Sequence, residues 1–167
     1  LGVGDEDVRR ELLQFKGLEG RQEELAEVRG VHFVNDTTST MPEAAMAALA
    51  RFRKLAGKSK LILIAGGQDK GLGYKKLTDA IRQGADVLVL LPGTATDKIG
   101  IELRSKKQEL RIIEAKSMAE AVEKSYEAAK KGDWIVFSPG AASFGLFQNE
   151  FDRGEQFVED VNRITKK

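Results

Sequence analysis

The chain has 167 residues, 41% of them apolar and 32% charged, the balance of an ordinary globular domain or of one domain with a short extension. Its 27 basic and 26 acidic residues leave a formal charge of +1, which argues against electrostatic binding of nucleic acid by the domain as a whole but not against a local anion site. Cysteine is absent and histidine occurs once, so disulfides, thiolate catalysis and multi-histidine metal sites are excluded.

A chain of this length buries roughly 70% of its unfolded surface and needs no staples. No apolar run approaches the ~20 residues of a membrane span, and no signal peptide is present. The expectation is a soluble, cytoplasmic, monomeric protein with neither nucleic acid nor membrane as a partner. The sequence opens on Leu1 rather than methionine, which reads as a piece of something longer.

In chain order, Val8, Leu12, Leu13 and Phe15 among charges predict a short amphipathic helix over Asp5–Phe15. Glu24–Val28 and Val31–Asn35 flank Arg29-Gly30 and read as a tight strand pair. Pro42–Phe52 is helical, and Thr40-x-x-Glu43 at its start has capping-box spacing. A rhythm follows. Apolar runs at 61–65 and 87–91 and short strands at 111–114 and 134–137 alternate with helices over 77–82, 96–103, 118–130 and 147–164. Strands without polar alternation, separated by helices, predict an α/β, Rossmann-like three-layer domain. Its mostly parallel sheet has five or six strands, covered on both faces.

Open α/β sheets bind ligands beyond the carboxyl ends of their strands. The loops to read are therefore Asn35–Thr40, Gly66–Gly71, Pro92–Thr96 and Ser138–Ser143. Each singled-out residue also has a plain structural reading. Thr40 can cap its helix, Asp36 can close an Asx-turn, Lys70 can be a solvated turn lysine and Ser143 a turn or cap serine. His32, inside a strand, reads as structural rather than as a base. Phe144, Phe147, Phe151 and Phe157 read as core from their helical spacing. Gly66–Gly73 is not a Walker loop, because Leu72 stands where the lysine belongs, and it does not match the dinucleotide glycine pattern.

Four stretches together resemble the C-terminal domain of the Mur ligases, and within that family the branch that adds D-glutamate to UDP-N-acetylmuramoyl-L-alanine. They are Asn35-Asp36-Thr37-Thr38-Ser39-Thr40-Met41-Pro42-Glu43, Ile64-Ala65-Gly66-Gly67-Gln68-Asp69-Lys70-Gly71, Phe137–Phe144 and Asn149–Phe157, with Phe15–Arg21 upstream. The resemblance covers nearly the whole chain from Phe15 onward. It implies that residues 1–15 are a remnant of a preceding domain or a linker helix, and that 16–167 form the amino-acid-binding domain. It also implies an ATP-dependent, amide-forming reaction in peptidoglycan precursor synthesis, with the ATP phosphate loop and Mg2+ held mainly by a central domain outside this chain.

By the same resemblance, Arg21 would meet an ATP phosphate and Asp36 the ribose. Thr40, Lys70 and Ser143 would hold D-glutamate, and Phe151, matched with a one-residue slip, would line its pocket. Thr38 stands where many members have lysine, Met41 where asparagine is common, and Gln68 where aspartate is frequent. The isolated chain is expected to fold yet to have no ligase or ATPase activity. The competing reading is a stand-alone nucleotide- or small-acid-binding module on the same scaffold. A Mur ligase adding another amino acid is disfavoured by the Asn35-Asp36 motif, because those relatives usually carry histidine near that place.

Overall fold

The apolar runs read from the sequence form the middle of one sheet. The computed structural model describes residues 2–25, 27–104 and 110–166. Its strands are β1 (Glu23–Glu24), β2 (His32–Asn35), β3 (Leu61–Gly66), β4 (Val87–Leu91), β5 (Arg111–Glu114) and β6 (Trp134–Phe137). Its helices are α1 (Asp5–Gln14), α2 (Pro42–Ala56), α3 (Lys75–Gly84), α4 (Thr94–Arg104), α5 (Met118–Ala128) and α6 (Glu150–Thr165). The six strands lie in the order β1-β2-β6-β3-β4-β5, parallel except for β1, which pairs antiparallel with β2 at the edge.

Side chains alternate along each strand, so one sheet feeds two cores. Leu61, Leu63, Leu88, Leu90, Val34 and Val136 face α2, α3 and α4. Ile62, Ile64, Val89, Phe33, Ile135 and Phe137 face α5 and α6. Every residue of β3 and β4 is buried, which is why those segments read as continuous apolar runs. Strand β6 lies between β2 and β3, so the chain crosses over it early and returns to it last. The helix after β3 therefore covers one face, and the helix after β6 covers the other. The β3–β6 boundary is a topological switch point.

Several details differ from the sequence reading. The first strand of the hairpin shrinks to Glu23–Glu24. Val28 and Val31 are joined only by an isolated bridge across Arg29 and Gly30, both at positive φ. Helix α2 is capped at Met41 with Pro42 at N1 and no side-chain cap bond, so the Thr40–Glu43 capping box does not form. Helix α6 starts at Glu150, not Phe147, because Asn149 Oδ1 accepts from the N–H groups of Phe151 and Asp152, 2.9 Å each. Phe157 is core, whereas Phe144, in the loop after β6, and Phe151, in the first turn of α6, are 61% and 63% exposed.

Helix α1 buries none of its residues, and Val8, Leu12 and Leu13 are exposed. Removing residues 1–14 should therefore cost the folded domain no more than about 0.5 kcal/mol, a shift of about 2 °C or less in melting temperature. Thermal melts of the two chains check this.

Candidate functional site at the carboxyl edge of the sheet

Three loops meet at the switch point, and backbone bonds join them. The loop after β6 pairs with the loop after β3 through Gln68 N to Ala142 O (2.9 Å) and Ala142 N to Gln68 O (3.0 Å). It is joined to the loop after β2 by Gly140 N donating to Ser39 O at 2.8 Å. Thr40 follows Ser39, Ser143 follows Ala142, and Lys70 lies two residues past Gln68. These contacts place all three expected substrate residues on one edge. The approach is close enough to require glycine. A Cβ on Gly67, at φ 135°, would stand 2.4 Å from Ala142 O, and one on Gly93 2.1 Å from Gly67 O.

The loop after β2 is held by two buried polar centres. Asp36 is 4% exposed and accepts from Ser138 Oγ at 2.7 Å and from Gln22 N–H at 3.0 Å. Burial raises its pKa, against the lowering effect of the Ser138 hydroxyl, the Gln22 N–H and the charges of Arg21 and Arg51. The Asx-turn expected of Asp36 belongs instead to Asn35, whose Oδ1 accepts from Thr37 N–H at 3.2 Å.

The second centre is Arg153 on α6, 1% exposed and without a carboxylate partner in hydrogen-bond contact among the described residues. Its guanidinium donates to Thr37 O (2.7 Å), Thr37 Oγ1 (3.3 Å) and Ala141 O (3.1 Å), and lies 5.8 Å from the Phe137 ring centre. Burial lowers its pKa to about 10, so it stays charged at neutral pH. The sequence reading missed it. The available signal was a charge at the i, i+4, i+8 positions of the buried stripe Arg153–Phe157–Val161.

The loop after β3 is stapled to the start of α4. Gln68 Oε1 accepts from Thr94 Oγ1 at 2.8 Å, Asp69 N–H donates to Thr94 Oγ1 at 3.0 Å, and Gly67 N–H donates to Thr96 Oγ1 at 3.1 Å. Asp69 Oδ1 accepts from Leu72 N–H (3.0 Å) and Tyr74 Oη (3.1 Å), while Oδ2 takes Lys98. The Lys98 bond foremost, with the two Oδ1 donors, lowers the Asp69 pKa to about 2, and the Tyr74 pKa rises from burial and from its bond to Asp69.

Against these satisfied groups, the side chains of Thr40, Lys70, Ser143 and Arg21 make no hydrogen bond or ion pair among the described residues. Arg21 lies beside Asp36, close enough to influence its charge. Phe151 is exposed in the first turn of α6. It lines a groove of about 460 Å³ with Gly20, Asn35, Thr37, Gly154 and Val158. Another groove, of about 530 Å³, lies at the carboxyl ends of β4 and β5, and neither includes Thr40, Lys70 or Ser143. No group of three or more His, Asp or Glu side chains is gathered to hold a metal ion among the described residues. No described helix is long and apolar enough to cross a membrane.

A mostly parallel sheet with unpaired polar groups gathered at its switch point defines an α/β domain with a candidate small-ligand site. Within that class the chain belongs to the Mur ligases, through the family of their glutamate ligase domain, whose model matches residues 20–140. It is 40% identical over 165 residues to the UDP-N-acetylmuramoylalanine--D-glutamate ligase of Roseiflexus sp. (strain RS-1), covering 98% of this chain and 34% of that protein. The enzyme of the same name from Bacteroides fragilis (strain YCH46) is 37% identical over 164 residues, covering 98% and 35%. The chain thus spans about a third of the length of the curated relatives it matches. Among solved structures, E. coli FolC in complex with ADP superposes with a TM-score of 0.68 at 17% identity, covering 100% of this chain and 37% of that one. The MurF ligase of Thermotoga maritima in complex with ADP gives 0.62 at 20%, covering 95% and 36%; these two show the shared fold.

Two outcomes follow from this packing. Arg153→Met strands the buried carbonyls of Thr37 and Ala141, each costing about 1–3 kcal/mol. The melting temperature should fall by at least about 5 °C, and Arg153→Lys, which lacks the planar fork, should not restore it. Asp69, with its pKa lowered, contributes stability that is present above about pH 4 and is lost as pH falls toward 2. The melting-temperature gap between the native chain and Asp69→Asn should therefore close over that interval in an acid titration.

Proposed function

We propose that this chain is the C-terminal domain of an ATP-dependent ligase that adds D-glutamate to UDP-N-acetylmuramoyl-L-alanine in peptidoglycan precursor synthesis. The observation that carries the reading is the gathering of Lys70, Thr40 and Ser143, all unpaired among the described residues, on loops that hydrogen bonds hold together; Ser39 Oγ, next to Thr40, is also without a partner but is buried. A cation with hydroxyl donors suits a dicarboxylate. Thr40 makes no side-chain cap bond to α2, which favours the ligand role over the capping one. The sequence relatives named as D-glutamate ligases support the choice of amino acid. The exposed apolar residues of α1 support reading residues 1–15 as a remnant of a preceding domain or a linker helix, with 16–167 as the amino-acid-binding domain.

In the proposed reaction the alanine carboxylate attacks the γ-phosphate of ATP, giving an acyl phosphate and ADP. The D-glutamate amine then adds to the acyl carbon, phosphate leaves, and a proton is lost from nitrogen as the amide forms. This chain's part is positional. Lys70 pairs with the side-chain carboxylate, Thr40 and Ser143 donate to the amino acid, and the amine is left aimed at the acyl carbon. Phe151 would form an apolar wall of the pocket. Arg21 would meet a phosphate, and Asp36 would accept a ribose hydroxyl through lone pairs not used by Ser138 and Gln22. Closure of this edge over the ATP-holding domain excludes water from the acyl phosphate. Among the described residues no group of three or more His, Asp or Glu side chains is gathered, and no step is assigned to Mg2+ in this chain.

Two experiments test the reading. In the full-length ligase, Lys70→Ala should raise the KM for D-glutamate by at least tenfold, from the about 2–5 kcal/mol lost when a desolvated charge is left unpaired. Its melting temperature should not change. The purified chain alone should melt cooperatively and release no phosphate above background from ATP, Mg2+, D-glutamate and the UDP-sugar acceptor. Turnover by the chain that Lys70→Ala abolishes would make it a complete enzyme.

A further inference from the structure

Lys70 follows an aspartate, an awkward neighbour for a residue meant to attract an anion. Asp69 is needed where it is, because its Oδ1 closes the loop through Leu72 N–H and Tyr74 Oη. Its side chain is only 12% exposed. With only those neutral donors, the carboxylate would draw Lys70 toward itself and repel an incoming carboxylate. Lys98 prevents this by meeting Oδ2. It does so from α4, one turn after Thr94, whose hydroxyl already holds Gln68 and the Asp69 N–H. The Lys98 side chain is 50% exposed and has no place in either apolar core. A half-exposed ion pair adds only modestly to stability, so its larger effect is better sought in the charge it cancels. Lys70 itself is exposed and has no ion pair among the described residues.

We propose that Lys98 is a positioning residue that neutralises Asp69 and so leaves Lys70 free to bind the side-chain carboxylate of D-glutamate. This rests on the function proposed above and deepens its substrate site. Three groups thereby act as one unit: Asp69 shapes the loop, Lys98 cancels its charge, and Lys70 meets the ligand.

The test is steady-state kinetics of the full-length ligase with D-glutamate varied at saturating ATP and acceptor, each variant's melting temperature being recorded. Lys98→Met should raise the KM for D-glutamate about fivefold, about 1 kcal/mol, with kcat within about twofold, and the rise should shrink at high ionic strength. Lys98→Arg should behave as the native enzyme. The decisive variant is Lys98→Met combined with Asp69→Asn, which removes the exposed charge and should return the KM to within about twofold of native. A merely structural role for the pair predicts the opposite, a double variant worse than either single one. An unchanged KM in Lys98→Met, or a defect that Asp69→Asn does not relieve, overturns the proposal. Lys70→Ala, run alongside, separates the two levels. A raised KM there with no effect at Lys98 refutes this inference alone, while an unchanged KM at Lys70 refutes the substrate site on which it rests.

Discussion

A buried guanidinium with no carboxylate in hydrogen-bond contact among the described residues is the constraint on which this edge of the molecule depends. Removing Arg153 from water is costly, and the cost appears as its lowered pKa. It is offset by two backbone carbonyls, one hydroxyl and the face of Phe137. Because the carbonyls come from Thr37 and Ala141, a single side chain on α6 links the loop after β2 to the loop after β6. Arginine alone among cations presents a rigid fork that satisfies separated acceptors at once. The same loops are linked again by Asp36 and Ser138 and by Gly140 and Ser39. The redundancy fixes the backbone that carries Thr40 and Ser143.

The loop after β3 is built on a different principle. Its links run sideways to α4, through Thr94, Thr96 and Lys98, and to the loop after β6 through backbone pairing at Gln68 and Ala142. Gln68 takes the Thr94 hydroxyl and so acts in the staple. The switch-point topology supplies the place and these bonds supply its rigidity. Among the side chains left unpaired, those of Thr40, Lys70 and Ser143 are the ones the proposed function gives to a ligand.

Most of the architecture was legible in the sequence because burial on both faces leaves a direct trace. The runs Leu61–Ala65 and Val87–Leu91 could be little else than central parallel strands, and the loops after them were readable as the functional edge. What escaped reading depended on contacts distant along the chain. Thr40 had the spacing of a cap, yet Pro42 and the extended Met41 start the helix without it. Phe151 had helical spacing with Phe157 but falls off the buried stripe once Asn149 fixes the helix start. Arg153 was not singled out because its acceptors lie 12 and 116 residues away in sequence. The Lys98–Asp69 pair crosses from one βα unit to the next, and no periodicity encodes it.

The central claim is that the Thr40, Lys70 and Ser143 side chains form one amino-acid site. It is tested most directly by a crystal structure of the full-length ligase with D-glutamate and a non-hydrolysable ATP analogue. The account predicts the glutamate side-chain carboxylate within about 3 Å of Lys70 Nζ, with Thr40 Oγ1 and Ser143 Oγ at hydrogen-bond distance from the same molecule. Glutamate bound elsewhere, such as in the groove at the carboxyl ends of β4 and β5, with those three side chains untouched, would contradict it.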